Sequence, residues 1–118
     1  MTQEEKQLLL VDLSARFPYN VAVDCRDEDS RFTCYLTSDI LREIQNNNCY
    51  WEYKPYLFPL SNMTEEQKKE YQYITERWMY DSSYSISDSV DWLNKNHFDY
   101  RGLIAKGLAI DATGLNIY

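Results

Sequence analysis

The stretch "NVAVDCRDEDSRFTCYL", residues 20–36, constrains the fold more than any other part of the chain. Val21, Val23 and Cys25 fall on one face of an extended backbone, with Ala22 and Asp24 on the other. Phe32, Cys34 and Leu36 then alternate against Thr33 and Tyr35. Period two is the mark of a half-buried strand. The intervening "RDEDS" is turn-forming by composition. A two-stranded pair is marginal by itself, so something must cover its apolar face.

Helices supply the cover. "MTQEEK" opens the chain with a reciprocal cap: Thr2 can accept from the Glu5 N–H while Glu5 reaches back to Thr2. The helix is expected from about Gln3 to Arg16, with Leu9, Leu10, Leu13 and Phe17 as its apolar stripe, widened by Leu8 and Val11. Pro18 stops it. "MTEEQK" at 63–68 repeats the cap with Thr64 and Gln67, which explains the likeness without an internal duplication. A second long helix is expected from about Glu65 to Tyr80, burying Tyr71, Ile74 and Trp78. A third is expected from Asp88 to about Lys95, capped by Ser87 and burying Val90 and Leu93. "KPYLFPLSNM", with two prolines, reads as a connector packed on the body.

One segment, "TSDILREIQNNNCYWEY", fits two structures. Ile40, Leu41 and Ile44 after Ser38 fit a capped helical turn; Ile40, Arg42 and Ile44 fit a strand. The "NNN" run, followed by Cys49, Trp51 and Tyr53, favours a hairpin, because asparagine tolerates the left-handed backbone of such turns. The expected fold is therefore α+β in one domain spanning residues 1–118. A small antiparallel sheet of three or four strands within residues 20–54 would pack with an N-terminal helix and two or three C-terminal helices.

Reactive-looking residues gather in "DWLNKNHFDYRGLI", residues 91–104. His97, the single histidine, stands beside Asp99 and Arg101. Read as chemistry, a His–Asp pair would do acid–base work while Arg101 held an anion. Read as backbone, Asn96 or His97 ends a helix in the left-handed conformation and Asp99 caps a further turn, "YRGLIAK". Gly107 would then end that turn, with Leu108 folding back and "LAI" extended along a sheet edge. The backbone reading is preferred, since no nucleophile elbow, phosphate loop, zinc-protease helix or dinucleotide fingerprint accompanies the cluster.

Charge narrows the remaining classes. Twelve Lys and Arg face nineteen Asp and Glu, a formal charge of −7. Nucleic-acid backbones and anionic membranes are bound largely by basic faces, so neither partner is expected. No apolar run reaches the roughly 18 residues of a membrane span. The acidic N-terminus lacks the positive charge of a signal peptide, and a cytoplasmic protein is expected. Cys25, Cys34 and Cys49 are odd in number, contain no C-x-x-C and can pack as small apolar residues. A zinc site from these with His97 lacks the usual close ligand pairs. "DCRDED" lacks the spacing of a calcium loop. Glu65, Glu66, Glu70 and Glu76 form a wet helix face and no di-iron pattern. No metal or cofactor is therefore expected. Eleven tyrosines, and the run "CYWEYKPYLF" in particular, suggest an aromatic binding patch at Tyr50, Trp51, Tyr53 and Tyr56.

"VDWLNKNHFDYRGLIAKGLAID" together with "KPYLFPLSNMTEEQ" resembles a group of small uncharacterised proteins of gut Bacteroidetes bacteria and their prophages. The opening helix ending near "ARFPYNV" belongs to the same likeness. The resemblance implies a bacterial or phage-infected cytoplasm and an accessory role in a mobile element. It carries no catalytic residue with it. The expected function is a non-enzymatic protein-binding module of phage or prophage origin. The alternatives are a small enzyme with its site near His97 and Arg101, and an acidic mimic of nucleic acid.

Overall fold

The computed structural model describes residues 1–46, 51–77, 79–83 and 85–118. Helix α1, Gln3–Arg16, opens with the expected reciprocal cap: Thr2 Oγ1 accepts from the Glu5 N–H at 3.1 Å, and Glu5 Oε1 accepts from the Thr2 N–H at 2.8 Å. Its inward face differs from the expected stripe. Lys6, Leu9, Asp12, Leu13 and Arg16 are buried, whereas Val11 and Phe17 are exposed. Asp12 and Arg16 lie one turn apart and pair at 2.8 Å, which lets both charges enter the interior beside Leu9 and Leu13.

A 3₁₀ turn, Phe17–Tyr19, leads into β1, Ala22–Arg26, and β2, Arg31–Tyr35. The pair is antiparallel, with Val23 opposite Cys34 and Cys25 opposite Phe32. Asp27 holds the turn by accepting from the N–H groups of Asp29 and Ser30.

The segment that fits two structures is a helix, α2, Ser38–Asn46. This corrects the preferred strand reading. Ile40 and Ile44 are buried one turn apart, and Leu41 is half-buried beside them. A strand would have placed Arg42 on the same face as both isoleucines. The helix turns it to solvent, where it meets Asp39 at 3.4 Å. Thr37 caps the helix, its Oγ1 accepting from the Ile40 N–H at 3.2 Å. The "NNN" turn, Cys49 and Tyr50 fall largely outside the described residues; of that run only Asn46 is described, as the last residue of α2.

The expected connector is largely strand. β3 runs Glu52–Pro59 and pairs antiparallel with β1 from Arg26–Glu52 to Val23–Pro55. Prolines are disfavoured inside sheets because they donate nothing to the ladder. Here the Tyr56 carbonyl is directed toward β1, so the preceding residue, Pro55, turns its nitrogen the other way. Pro59 ends the strand. Two short strands, β4, Phe98–Asp99, and β5, Ile110–Asp111, join the far half of β3 in parallel, opposite Phe58–Pro59 and Tyr56–Leu57. The protein is α+β as expected, with a mixed sheet reaching beyond residue 54.

Helix α3, Glu65–Arg77, carries the expected cap, Gln67 N–H to Thr64 Oγ1 at 3.1 Å, and ends short of Tyr80. Trp78, expected in its buried stripe, lies outside the described residues. Helix α4, Ile86–Lys95, begins two residues before the expected start. Ser85 caps it in place of Ser87, and Asp88 Oδ2 accepts from the Ser85 N–H at 2.6 Å. Trp92, Leu93 and Phe98 pack with Tyr71 and Ile74 of α3. The main core lies between α1, α2 and the face of the sheet bearing Val21, Val23, Cys25 and Leu57. Among the described residues no helix is long and apolar enough to cross a membrane.

Candidate functional site

The corner after α4 assigns backbone roles to two of the three polar groups that stood out in the sequence, His97 and Asp99. His97 has φ 63°, the left-handed backbone that ends a helix, and its N–H donates to the Asn94 carbonyl at 3.1 Å. Its own carbonyl accepts from the Phe58 N–H at 2.8 Å, joining β4 to β3. The imidazole lies flat on the Tyr118 ring, centroids 3.7 Å apart and planes 9° apart. Its Nδ1 is buried and has no hydrogen-bond partner among the described residues. Burial, and secondarily the Arg16 guanidinium, push the ring's pKa down from the ordinary 6.5 to about 4.

Asp99 faces the next turn. Its Oδ1 accepts from the Leu103 N–H at 3.0 Å and its Oδ2 from the Ile104 N–H at 2.9 Å. Leu108 folds back, donating its N–H to the Leu103 carbonyl at 2.9 Å, and Gly107 supplies the positive φ this requires. Arg101 is drawn elsewhere: Nη1 donates to Asp12 Oδ1 at 3.0 Å and to the Tyr100 hydroxyl at 2.9 Å. Asp12 is thus shared between Arg101 and the fully buried Arg16, whose Nη2 also donates to the Phe98 carbonyl at 2.6 Å. The Tyr100 ring faces both guanidiniums, at 5.2 Å and 4.6 Å. Structure therefore places His97, Asp99 and Arg101 near one corner without joining them into a relay. Asp12 and Arg16 were missed from the sequence, although they stand at i+3 and i+7 of the stripe that Leu9 begins.

The Tyr118 hydroxyl closes the other side of this corner. It accepts from the Ala22 N–H at 2.9 Å and donates to the Tyr56 carbonyl at 2.8 Å. It stands where the β1–β3 register stops, one pair beyond Val23–Pro55.

An open cleft of about 450 Å³ lies elsewhere, where the first turns of α1 meet α2, the start of β3 and the loop 106–108. Leu9, Ile44, Trp51, Tyr53 and Leu108 give it an apolar and aromatic lining. Glu5, Glu52, Lys54 and Lys106 line it as well, a balanced set of charges. Lys54 pairs with Glu52 at 3.3 Å. Hydrogen bonds from Thr2, and more weakly the positive charges of the N-terminal amine and Lys106, hold the Glu5 carboxyl below its usual range. Trp51 is braced edge-on by Phe32, ring centroids 5.0 Å apart. The Tyr53 hydroxyl donates to the Glu43 carboxylate.

Two members of the expected aromatic patch, Trp51 and Tyr53, meet in this cleft. Tyr56 does not join them. Strand alternation sends it to the opposite face, where it is buried and its hydroxyl donates to Asp24 at 3.2 Å. Tyr50 lies outside the described residues. Leu9, Ile44 and Leu108 come from three separate segments, and no local pattern could have grouped them. Among the described residues no group of His, Cys, Asp and Glu is arranged to hold a metal ion. The chain matches no protein-family model, no curated protein and no solved structure.

Proposed function

We propose that this protein is a non-enzymatic binding module that holds a short apolar segment of another protein in the cleft beside Trp51 and Tyr53. The single observation that carries this reading is the cleft's composition. Its size is within the usual range for a binding pocket, and its lining joins aromatic rings to aliphatic side chains. Such rings are the residues that most often dominate interface energies. The balanced charges favour an occupant without strong charge of its own. On the resemblance of these segments alone, its setting is the cytoplasm of a bacterium carrying a phage or prophage.

The test compares capture by the tagged full chain, by Trp51→Ala and by the surface control Lys95→Ala from a lysate of the native host. A partner retained by the parent and the control, and lost at least about tenfold by Trp51→Ala, is the expected result. Circular dichroism confirms that each variant is folded. Equal retention by all three proteins, or recovery of the bait alone, overturns the reading.

A further inference from the structure

Two cysteines share the inward face of the β1–β2 pair. Cys25 stands opposite Phe32 and Cys34 opposite Val23, so the two are diagonal neighbours. Strand twist draws one diagonal of an antiparallel pair together. Here the sulfurs are 2.7 Å apart, against about 2.05 Å in a disulfide bond. Cys25 is buried and Cys34 half-buried. Among the described residues, the other polar contact recorded for the Cys25 thiol is the long one to the Val23 carbonyl at 3.9 Å. A hydrogen-bonded ladder holds both backbones, so the encounter of the two sulfurs needs no further ordering.

We propose that Cys25 and Cys34 form a redox modification site that closes to an intramolecular disulfide on meeting a small-molecule disulfide. Cys34, which solvent reaches, attacks R–S–S–R as its thiolate. A Cys34–S–S–R bond forms, and one R–SH leaves carrying the proton that Cys34 gave up. Cys25 then attacks the Cys34 sulfur; the Cys25–Cys34 bond forms, and the second R–SH leaves with the proton from Cys25. Two protein thiols are oxidised and one small disulfide is reduced to two thiols, so a dithiol reductant reverses the reaction. Burial, with Cys34 beside it, pushes the Cys25 thiol up to about 12, so closure quickens as pH rises. Neither cysteine lines the cleft, so the site stands whether or not the cleft takes a partner.

The experiment treats the purified full chain with oxidised glutathione, alkylates the remaining thiols and cleaves with trypsin. Cuts after Arg16, Arg26, Arg31 and Arg42 place Cys25 on residues 17–26, Cys34 on residues 32–42 and Cys49 on a third peptide beginning at Glu43. The expected product has monomer mass and yields the first two peptides joined, lighter than their sum by two hydrogens and free of glutathione. A dithiol restores both thiols to alkylation, and Cys49→Ser gives the same joined pair. Glutathione left on Cys34 with Cys25 still alkylated, a join through Cys49, a join between two copies, or no oxidation at all each overturns the proposal.

Discussion

The corner after α4 and the cleft beside β3 both carry charged residues, yet differ in what accompanies them. The corner gathers a histidine, aspartates and arginines, and the structure commits them to backbone ends and to one another. The cleft gathers leucine, isoleucine and two aromatic rings, and it stands open. Reactive side chains close in sequence are therefore a weak guide to a site until the needs of the local backbone have been met. A helix end and the start of the next turn need acceptors and a left-handed residue, and His97 and Asp99 meet those needs.

Breaking the corner at its charges should cost the most. Asp12 is fully buried between Arg16 and Arg101. Asp12→Ala leaves a guanidinium inside the protein with its main partner gone, a loss of about 3–5 kcal/mol in urea unfolding. The double variant Asp12→Leu with Arg16→Met removes both charges and should recover much of that loss. A single-variant loss below about 1 kcal/mol would show that the corner does not depend on this pair.

Asp99 gives the next largest effect. Asp99→Ala strips two backbone N–H groups of their acceptor and should cost about 1–2 kcal/mol by the same measurement. A catalytic carboxylate with no capping duty would leave stability nearly unchanged on removal. Unaltered unfolding in Asp99→Ala would therefore erase the contrast between corner and cleft.

Much of this contrast is legible in the sequence, and the rest fails for identifiable reasons. Alternation between residues 20 and 36 marks the β1–β2 pair, and the Thr2–Glu5 and Thr64–Gln67 caps mark two helix starts. His97 as a helix end and Asp99 as a cap follow from local chemistry alone. Residues 38–46 were misjudged because Ile40 and Ile44 satisfy both periods; Arg42 decides between them, since only the helix returns it to water. β3 was obscured by Pro55, whose tolerance depends on which way the neighbouring Tyr56 carbonyl points. The buried Asp12–Arg16 pair and the grouping of Leu9, Ile44 and Leu108 depend on tertiary contacts that no short window contains.

The finest distinction between the two regions is whether protons reach the corner. The His97 pKa in the folded chain, about 4, lies below its ordinary 6.5. Below pH 6.5 the unfolded chain takes up a proton that the folded chain refuses, so this residue's contribution is complete above 6.5 and fades as pH falls toward 4. His97→Asn keeps a side chain that tolerates the left-handed backbone and removes the titration. Melting followed from about pH 7 down to about pH 5 should therefore show a smaller fall in Tm for the variant than for the parent. Carboxylates that titrate in the same range act on both proteins, so the difference between the two curves isolates the imidazole. Parallel curves would mean that the ring accepts its proton while the chain stays folded. In that case Tyr118 does not seal the ring from water, and the corner regains its claim to proton-transfer chemistry.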